Sequence, residues 1–221
     1  MDGLISLLND GSIVQATIQT LVYVLIAMAV GGVLGLVVGV ALTVTRQGGL
    51  LESRPVFYVL NFLVNFFRPI PFVILIAAIQ PLARVVVGTG IGDPALIFMI
   101  SFAATFGIAR LVEQNLLTVA PGVIEAARAM GAGPFRTILT VLIPEGLGPL
   151  VLGYTFAFIA VVDMTAMAGV IGGGGLGNLA IQYGYRQFNP WVTWAAVLII
   201  IVIVQLVQLL GNGIARKLLR R

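Results

Sequence analysis

The sequence predicts an all-α integral membrane protein with five transmembrane helices. Of its 221 residues 60% are hydrophobic and 9% charged, where a soluble domain carries about a quarter charged residues. The mean hydropathy is +1.12. The apolar residues also gather into stretches of about 20, the length an α-helix needs to cross a bilayer. So few polar groups could not cover the apolar surface, and lipid must be the solvent. At this length five or six spans fit, with no room for a separate soluble enzyme domain.

Taken in order, the first span is expected over about 20–44, inside a stretch without charge between Asp10 and Arg46. The second, over about 55–80, is interrupted by Arg68-Pro69-Ile70-Pro71. Those prolines remove backbone donors and predict a kink within one span. The third covers about 94–112, with Pro94 suited to a helix start. The stretch 113–146 carries charges every few residues and two prolines, Pro121 and Pro134, before Pro144 near its end; it reads as a loop with short helices. The fourth and fifth spans are expected over about 147–171 and 191–210. The N-terminal segment is acidic, and the apolar run behind it is too long for a signal-peptide core, so nothing is expected to be cleaved.

Five spans put the termini on opposite sides, and the positive-inside rule chooses between the two orientations. With the N-terminus outside, the inner side receives Arg46, Arg54, Arg128, Arg136, Arg216, Lys217, Arg220 and Arg221, and the outer side only Arg84 and Arg186. Arg68 and Arg110 fall within or at the end of spans and do not vote. Trp191 and Trp194 then lie near the outer interface, although core packing explains them about as well. The chain has no Cys and no His, which excludes thiolate nucleophiles, disulfides, haem held by His and the usual zinc sites. Its net charge of +4 is dispersed rather than clustered, giving no footprint for nucleic acid.

Within the first span Ala27, Gly31, Gly35 and Gly39 recur every fourth residue. They form a face of small side chains that lets another helix approach closely, within or between subunits; the plainer reading is that glycine is common in such helices. After the fourth span, Gly172-Gly173-Gly174-Gly175-Leu176-Gly177 formally satisfies a dinucleotide fingerprint. That motif needs a preceding strand and a βαβ unit, which a membrane helix does not provide, and no Walker-type lysine occurs. A flexible or tightly turned extracytoplasmic loop fits better, its aromatic and polar tail at 182–190 offered to a partner.

Arg68 and Asp163 are ionisable groups inside apolar spans, where a charge is costly and is usually paired or faces a cavity. Both are pathway candidates. Alternatively, Arg68 snorkels or bonds a carbonyl freed by the prolines, and Asp163 reaches solvent through an outer vestibule; a direct pair between the two is a lesser alternative. Met167, late in the fourth span, is flexible and apolar enough to close a pore, although ordinary packing explains it nearly as well.

The stretch 121–131 holds a proline start, a helical body and a glycine stop. Val123, Ala127 and Met130 share one face, while Glu125 and Arg128 lie three apart on a more polar side. The full string is Glu125-Ala126-Ala127, three residues, Gly131, nine residues, then Val141-Leu142-Ile143-Pro144.

This string resembles the EAA loop of ABC importer permeases, with Val141 and Ile143 as conservative replacements. The resemblance to the permeases of methionine importers runs over nearly the whole chain, through 67–72, 84–89, Ala166-Met167 with the glycine run, and Tyr183-Gly184-Tyr185. It implies a type I ABC importer permease fold, a single transmembrane domain over 1–221 with its coupling loop at 113–146. It also implies a homodimer in the bacterial inner membrane, two cytoplasmic ATPase subunits that bind ATP and Mg, and an extracytoplasmic binding protein. No cofactor or catalytic site is expected on this chain. Glu125, Ala126, Ala127, Arg128 and Gly131 would form the helix that couples ATPase closure to alternating access, and Met167 occupies a gate position. Asp163 departs from the small or uncharged residue expected there, which keeps another amino acid or small solute open as substrate. A self-contained secondary transporter is the competing class; it would not need the EAA loop and usually has internal repeats, which are not evident here.

Overall fold

The computed structural model of the protein describes residues 7 and 10–219, and every regular element among them is helical. Arg220 and Arg221 of the topology count, and most of the acidic N-terminal segment, lie outside the described residues. The first helix, α1 (Ser12–Thr45), is longer than expected. At 1.5 Å per residue it runs about 50 Å, well beyond the hydrocarbon thickness of a bilayer. Asp10 Oδ1 accepts the Ser12 N–H at 2.9 Å where the helix begins. Hydrogen bonds from the Ser12 side chain and backbone hold the Asp10 carboxyl below its ordinary value.

The second expected span is two helices, α2 (Arg54–Phe67) and α3 (Phe72–Val87). The sequence suggested a kink; the regular helix is interrupted between them, Arg68 still keeping helical dihedrals and its N–H bond to the Val64 carbonyl at 3.1 Å. Pro69 and Pro71 supply no N–H, so two prolines one residue apart end a helix where one would bend it. Then follow α4 (Gly92–Leu116), the short α5 (Pro121–Ala129), α6 (Pro134–Thr137) and α7 (Ile143–Glu145), with a π-helical stretch at Ile138–Leu142. The last part of the chain is α8 (Leu147–Thr165), a 3₁₀ segment at Ala166–Ile171, α9 (Gly175–Asn178), a π-helical stretch at Leu179–Tyr185, and α10 (Pro190–Leu219). Among the described residues four helical stretches are long and apolar enough to cross a membrane, or five if the broken pair is one span. Of the stretch 113–146, residues 113–116 still belong to α4, and the short helices α5 to α7 follow from Pro121 on. Trp191 and Trp194 are exposed, which removes core packing within this chain as their explanation.

Contacts divide the chain into two compact units. One takes the described residues up to Gly31, with Ile70–Ala104 and Phe158–Val207; the other takes Gly32–Pro69, Thr105–Ala157 and the described residues from Gln208. The first unit has a core of Ile13 and Ala16 from α1, Leu176 and Leu179 from the glycine-rich region, and Val192 and Ala196 from α10. The second centres on Leu42, Val64 and Ala109, with the Phe67 and Phe106 rings stacked at 4.8 Å.

The small-residue face of α1 is a packing face within the chain. In the first unit Ala27 is fully buried, and a Cβ on Gly31 would stand 2.6 Å from the Ser101 carbonyl oxygen. In the second, a Cβ on Gly35 would meet the Ile108 side chain at 2.8 Å, and one on Gly39 the Ala109 carbonyl oxygen at 2.6 Å. Each glycine therefore brings α4 closer than any side chain allows, the condition under which small residues hold helices together in lipid.

Candidate functional site

The loop between α4 and α8 builds the first candidate site, within the second unit. Pro121 opens α5, where a missing N–H costs nothing and a fixed φ favours helix. The helix stops through a paired closure: the Gly131 N–H donates to the Arg128 carbonyl at 2.9 Å and the Ala132 N–H to the Ala127 carbonyl at 3.1 Å. Gly131 has φ +81°, the left-handed conformation this ending requires and only glycine adopts freely.

Ala127 is buried, but the rest of the expected apolar face is not. Val123 is exposed and Met130 is 82% exposed. Val123 and Met130 therefore do not pack within this chain, and Phe135 just beyond the helix is 73% exposed. Glu125, Ala126 and Arg128 are exposed as well. Glu125 and Arg128 line a cavity of about 360 Å³ together with Arg46, Gly48, Leu116 and Leu142. The result is a short, rigidly terminated helix that offers apolar and charged groups outward.

The glycine run builds the second candidate site, within the first unit. Its backbone N–H groups are held by side chains of α1 and by Asp93 at the start of α4. The Gly174 N–H donates to Asp93 Oδ1 at 3.1 Å and to the Tyr23 hydroxyl oxygen at 3.2 Å. The Gly175 N–H donates to Gln19 Oε1 at 2.9 Å, and the Leu176 N–H to Thr20 Oγ1 at 2.8 Å. Tyr23 also hydrogen-bonds Asp93. Three successive N–H groups could cradle a phosphate; here protein oxygens already occupy them.

Close approach explains the glycines. A Cβ on Gly174 would lie against Gln19 Oε1, and one on Gly177 against the Ala166 backbone. The loop is therefore tightly turned rather than flexible. Sequence reasoning missed Gln19, Thr20, Tyr23 and Asp93; their one visible signal was polarity inside or beside an apolar helix. Tyr23→Phe removes a hydroxyl that bonds both Asp93 and Gly174, and should weaken the clasp by about 1 kcal/mol. Amide hydrogen exchange at Gly174 should accelerate roughly fivefold; unchanged exchange there would show that Tyr23 is not part of the clasp.

Met167 lies half-buried in the 3₁₀ segment that leads into this loop, and Asp163 is exposed in the preceding turn of α8. Arg68 is exposed at the break between α2 and α3. Neither Arg68 nor Asp163 has an ion-pair partner among the described residues. Arg110 behaves differently: in the second unit it bonds Glu113 Oε2 at 2.5 Å, Asn65 Oδ1 at 2.5 Å and Asn61 Oδ1 at 2.9 Å. This cluster ties α2 to α4, and the three-residue spacing of Arg110 and Glu113 was its sequence signal.

Apolar helices long enough to cross a membrane, with the short exposed α5 among them, are the make-up of a multi-pass membrane protein. Residues 31–221 match the family of binding-protein-dependent transport system inner membrane components. The chain belongs to that family and is a multi-pass inner-membrane protein. It is 41% identical over 214 residues to a probable D-methionine transport system permease protein of Vibrio cholerae, covering 97% of this chain and 95% of the relative. A methionine import system permease protein of Bacillus subtilis is 40% identical over 180 residues, covering 81% of each. Among solved structures, an inward-facing MetNI methionine ABC transporter chain matches with a TM-score of 0.89 at 40% identity, over 93% of this chain and 95% of that one. An amino acid ABC transporter matches with a TM-score of 0.78 at 22% identity, over 98% of this chain and 99% of that one, which is a likeness of fold alone.

Proposed function

We propose that this chain is the permease subunit of an ATP-driven importer for methionine, working by alternating access as a homodimer with two cytoplasmic ATPase subunits and an extracytoplasmic binding protein. ATP and Mg bind to the ATPases, and this chain performs no covalent chemistry. The observation that carries the reading is α5, rigidly ended at Gly131, its Val123, Met130, Glu125 and Arg128 side chains exposed in a protein of the permease family. A permease without a nucleotide loop must receive the energy of ATP through a protein contact, and α5 is suited to that contact. The positive-inside count supports an outer N-terminus and an inner C-terminus, which places α5 in the cytoplasm and the clasped glycine loop outside. The curated relatives and the MetNI neighbour support methionine as substrate; the exposed Asp163 keeps a different amino acid as the second reading.

The test is ATP-dependent uptake by proteoliposomes holding the permease, its ATPase and its binding protein. Uptake of L- or D-methionine is the expected result. Uptake of another amino acid with none of methionine would select the second reading, and uptake that persists without the ATPase would favour a self-contained transporter. The gate assignment has its own check. Met167→Cys should react with a membrane-impermeant thiol reagent in one nucleotide state and be protected in another, whereas identical labelling in all states would assign Met167 to packing.

A further inference from the structure

Asp163 stands in the run Leu147–Ile171, one of the stretches apolar enough to cross a membrane. Its neighbours Val161, Val162 and Thr165 are buried, whereas Asp163 is exposed and its carboxylate has no hydrogen-bond or ion-pair partner among the described residues. The chain pairs another charge in an apolar helix: Arg110 meets Glu113 and two asparagines. An ionised carboxylate turned to lipid costs several kcal/mol, so the face bearing Asp163 is covered by water, by a ligand or by protein. Met167, four residues on and half-buried, and Val170, seven residues on and exposed, follow in the 3₁₀ segment that continues this helix. A single anionic oxygen pair beside apolar groups suits a solute with one cationic end and an apolar body.

Resting on the importer reading above, we propose that Asp163 is a specificity-determining residue of the translocation pathway whose carboxylate receives the α-ammonium group of the transported amino acid. The charge-assisted contact is transient: strong enough to orient the substrate's ammonium in the pathway, and exposed enough to release it.

The native chain contains no cysteine, so Asp163→Cys introduces a single thiol into it. In proteoliposomes holding the permease, its ATPase and its binding protein, two solutes are compared: methionine and its α-hydroxy acid counterpart, which lacks the ammonium. Because the binding protein is the same throughout, its own preference cancels between variants. Asp163→Cys, and the isosteric Asp163→Asn, should each lower the methionine-to-hydroxy-acid uptake ratio about tenfold. Modifying the introduced thiol with an impermeant sulfonate-bearing thiosulfonate should restore most of the ratio, and the trimethylammonium reagent should not. If the thiol reacts but uptake of both solutes falls and recovers together, the carboxylate answers a protein cation, such as one on the second permease copy, and the ammonium assignment is overturned while the pathway stands. If the thiol resists impermeant reagents both without nucleotide and with ATP bound, the face is not water-lined and the pathway placement itself fails. An unchanged ratio in Asp163→Asn overturns the ammonium assignment even if the cysteine variant does not assemble.

Discussion

Gly35→Leu is expected to abolish the folded permease. The first atom of the new side chain would stand 2.8 Å from Ile108 Cβ and 2.9 Å from the Thr105 carbonyl oxygen, before the rest of the leucine is placed. Overpacking usually costs about 1–3 kcal/mol when neighbouring side chains can move. Here one obstacle is the backbone of α4, so the cost should reach or exceed the top of that range, and α1 and α4 must separate. Thermal unfolding and size-exclusion profiles of the purified variant, with uptake at matched membrane levels, measure the effect. Gly107→Ala is the control: that helical glycine of α4 has open space where a Cβ would go, and its substitution should be tolerated. A Gly35→Leu permease that assembles and transports like the parent would refute the close-packing account.

The small-residue stripe was legible in the sequence because a four-residue period in a helix has one geometric meaning. So were the limits of α5, since proline at a helix start and glycine at its end act through local backbone physics. The break at 68–71 was read as a kink because the separate effects of Pro69 and Pro71 add up in a way that periodicity does not reveal. The length of α1 was underestimated for a related reason: hydropathy marks where lipid begins, while a helix continues for as long as its backbone bonds can be satisfied. The clasp of Gln19, Thr20, Tyr23 and Asp93 was not legible at all. Its members lie 81 residues or more from the glycine-run N–H groups they hold, and no local pattern announces a contact of that range. The exposure of Val123 and Met130 was likewise hidden, because a helical face reads as apolar whether its partner is the same chain or another.

Gly131→Val is expected to have the largest effect on transport with the least effect on membrane insertion. At φ +81° a β-branched residue is strained by about 1–3 kcal/mol. Relief of that strain would undo the hydrogen bonds from Gly131 and Ala132 that end α5, so Val123, Glu125, Arg128 and Met130 would no longer be presented together. Space is not the obstacle, since nothing stands within 4 Å of where the Cβ would be placed. Gly131→Asn should therefore be milder, because asparagine tolerates the left-handed conformation better than valine. Glu125→Ala leaves the helix intact and tests its charge; if the Glu125 contact with the ATPase is buried and charge-assisted, docking should weaken by about 1–3 kcal/mol.

The central claim is that α5 is where this permease receives the energy of ATP. The most direct measurement is co-purification of the ATPase with Gly131→Val, Gly131→Asn and the parent chain at equal membrane abundance, followed by binding-protein-dependent uptake from the same preparations. Full ATPase capture by the parent, intermediate capture by the asparagine variant and near-complete loss by the valine variant, with uptake falling in the same order, is the result expected. Equal ATPase capture and equal uptake by all three would contradict the claim and leave α5 as no more than a spacer at the membrane surface.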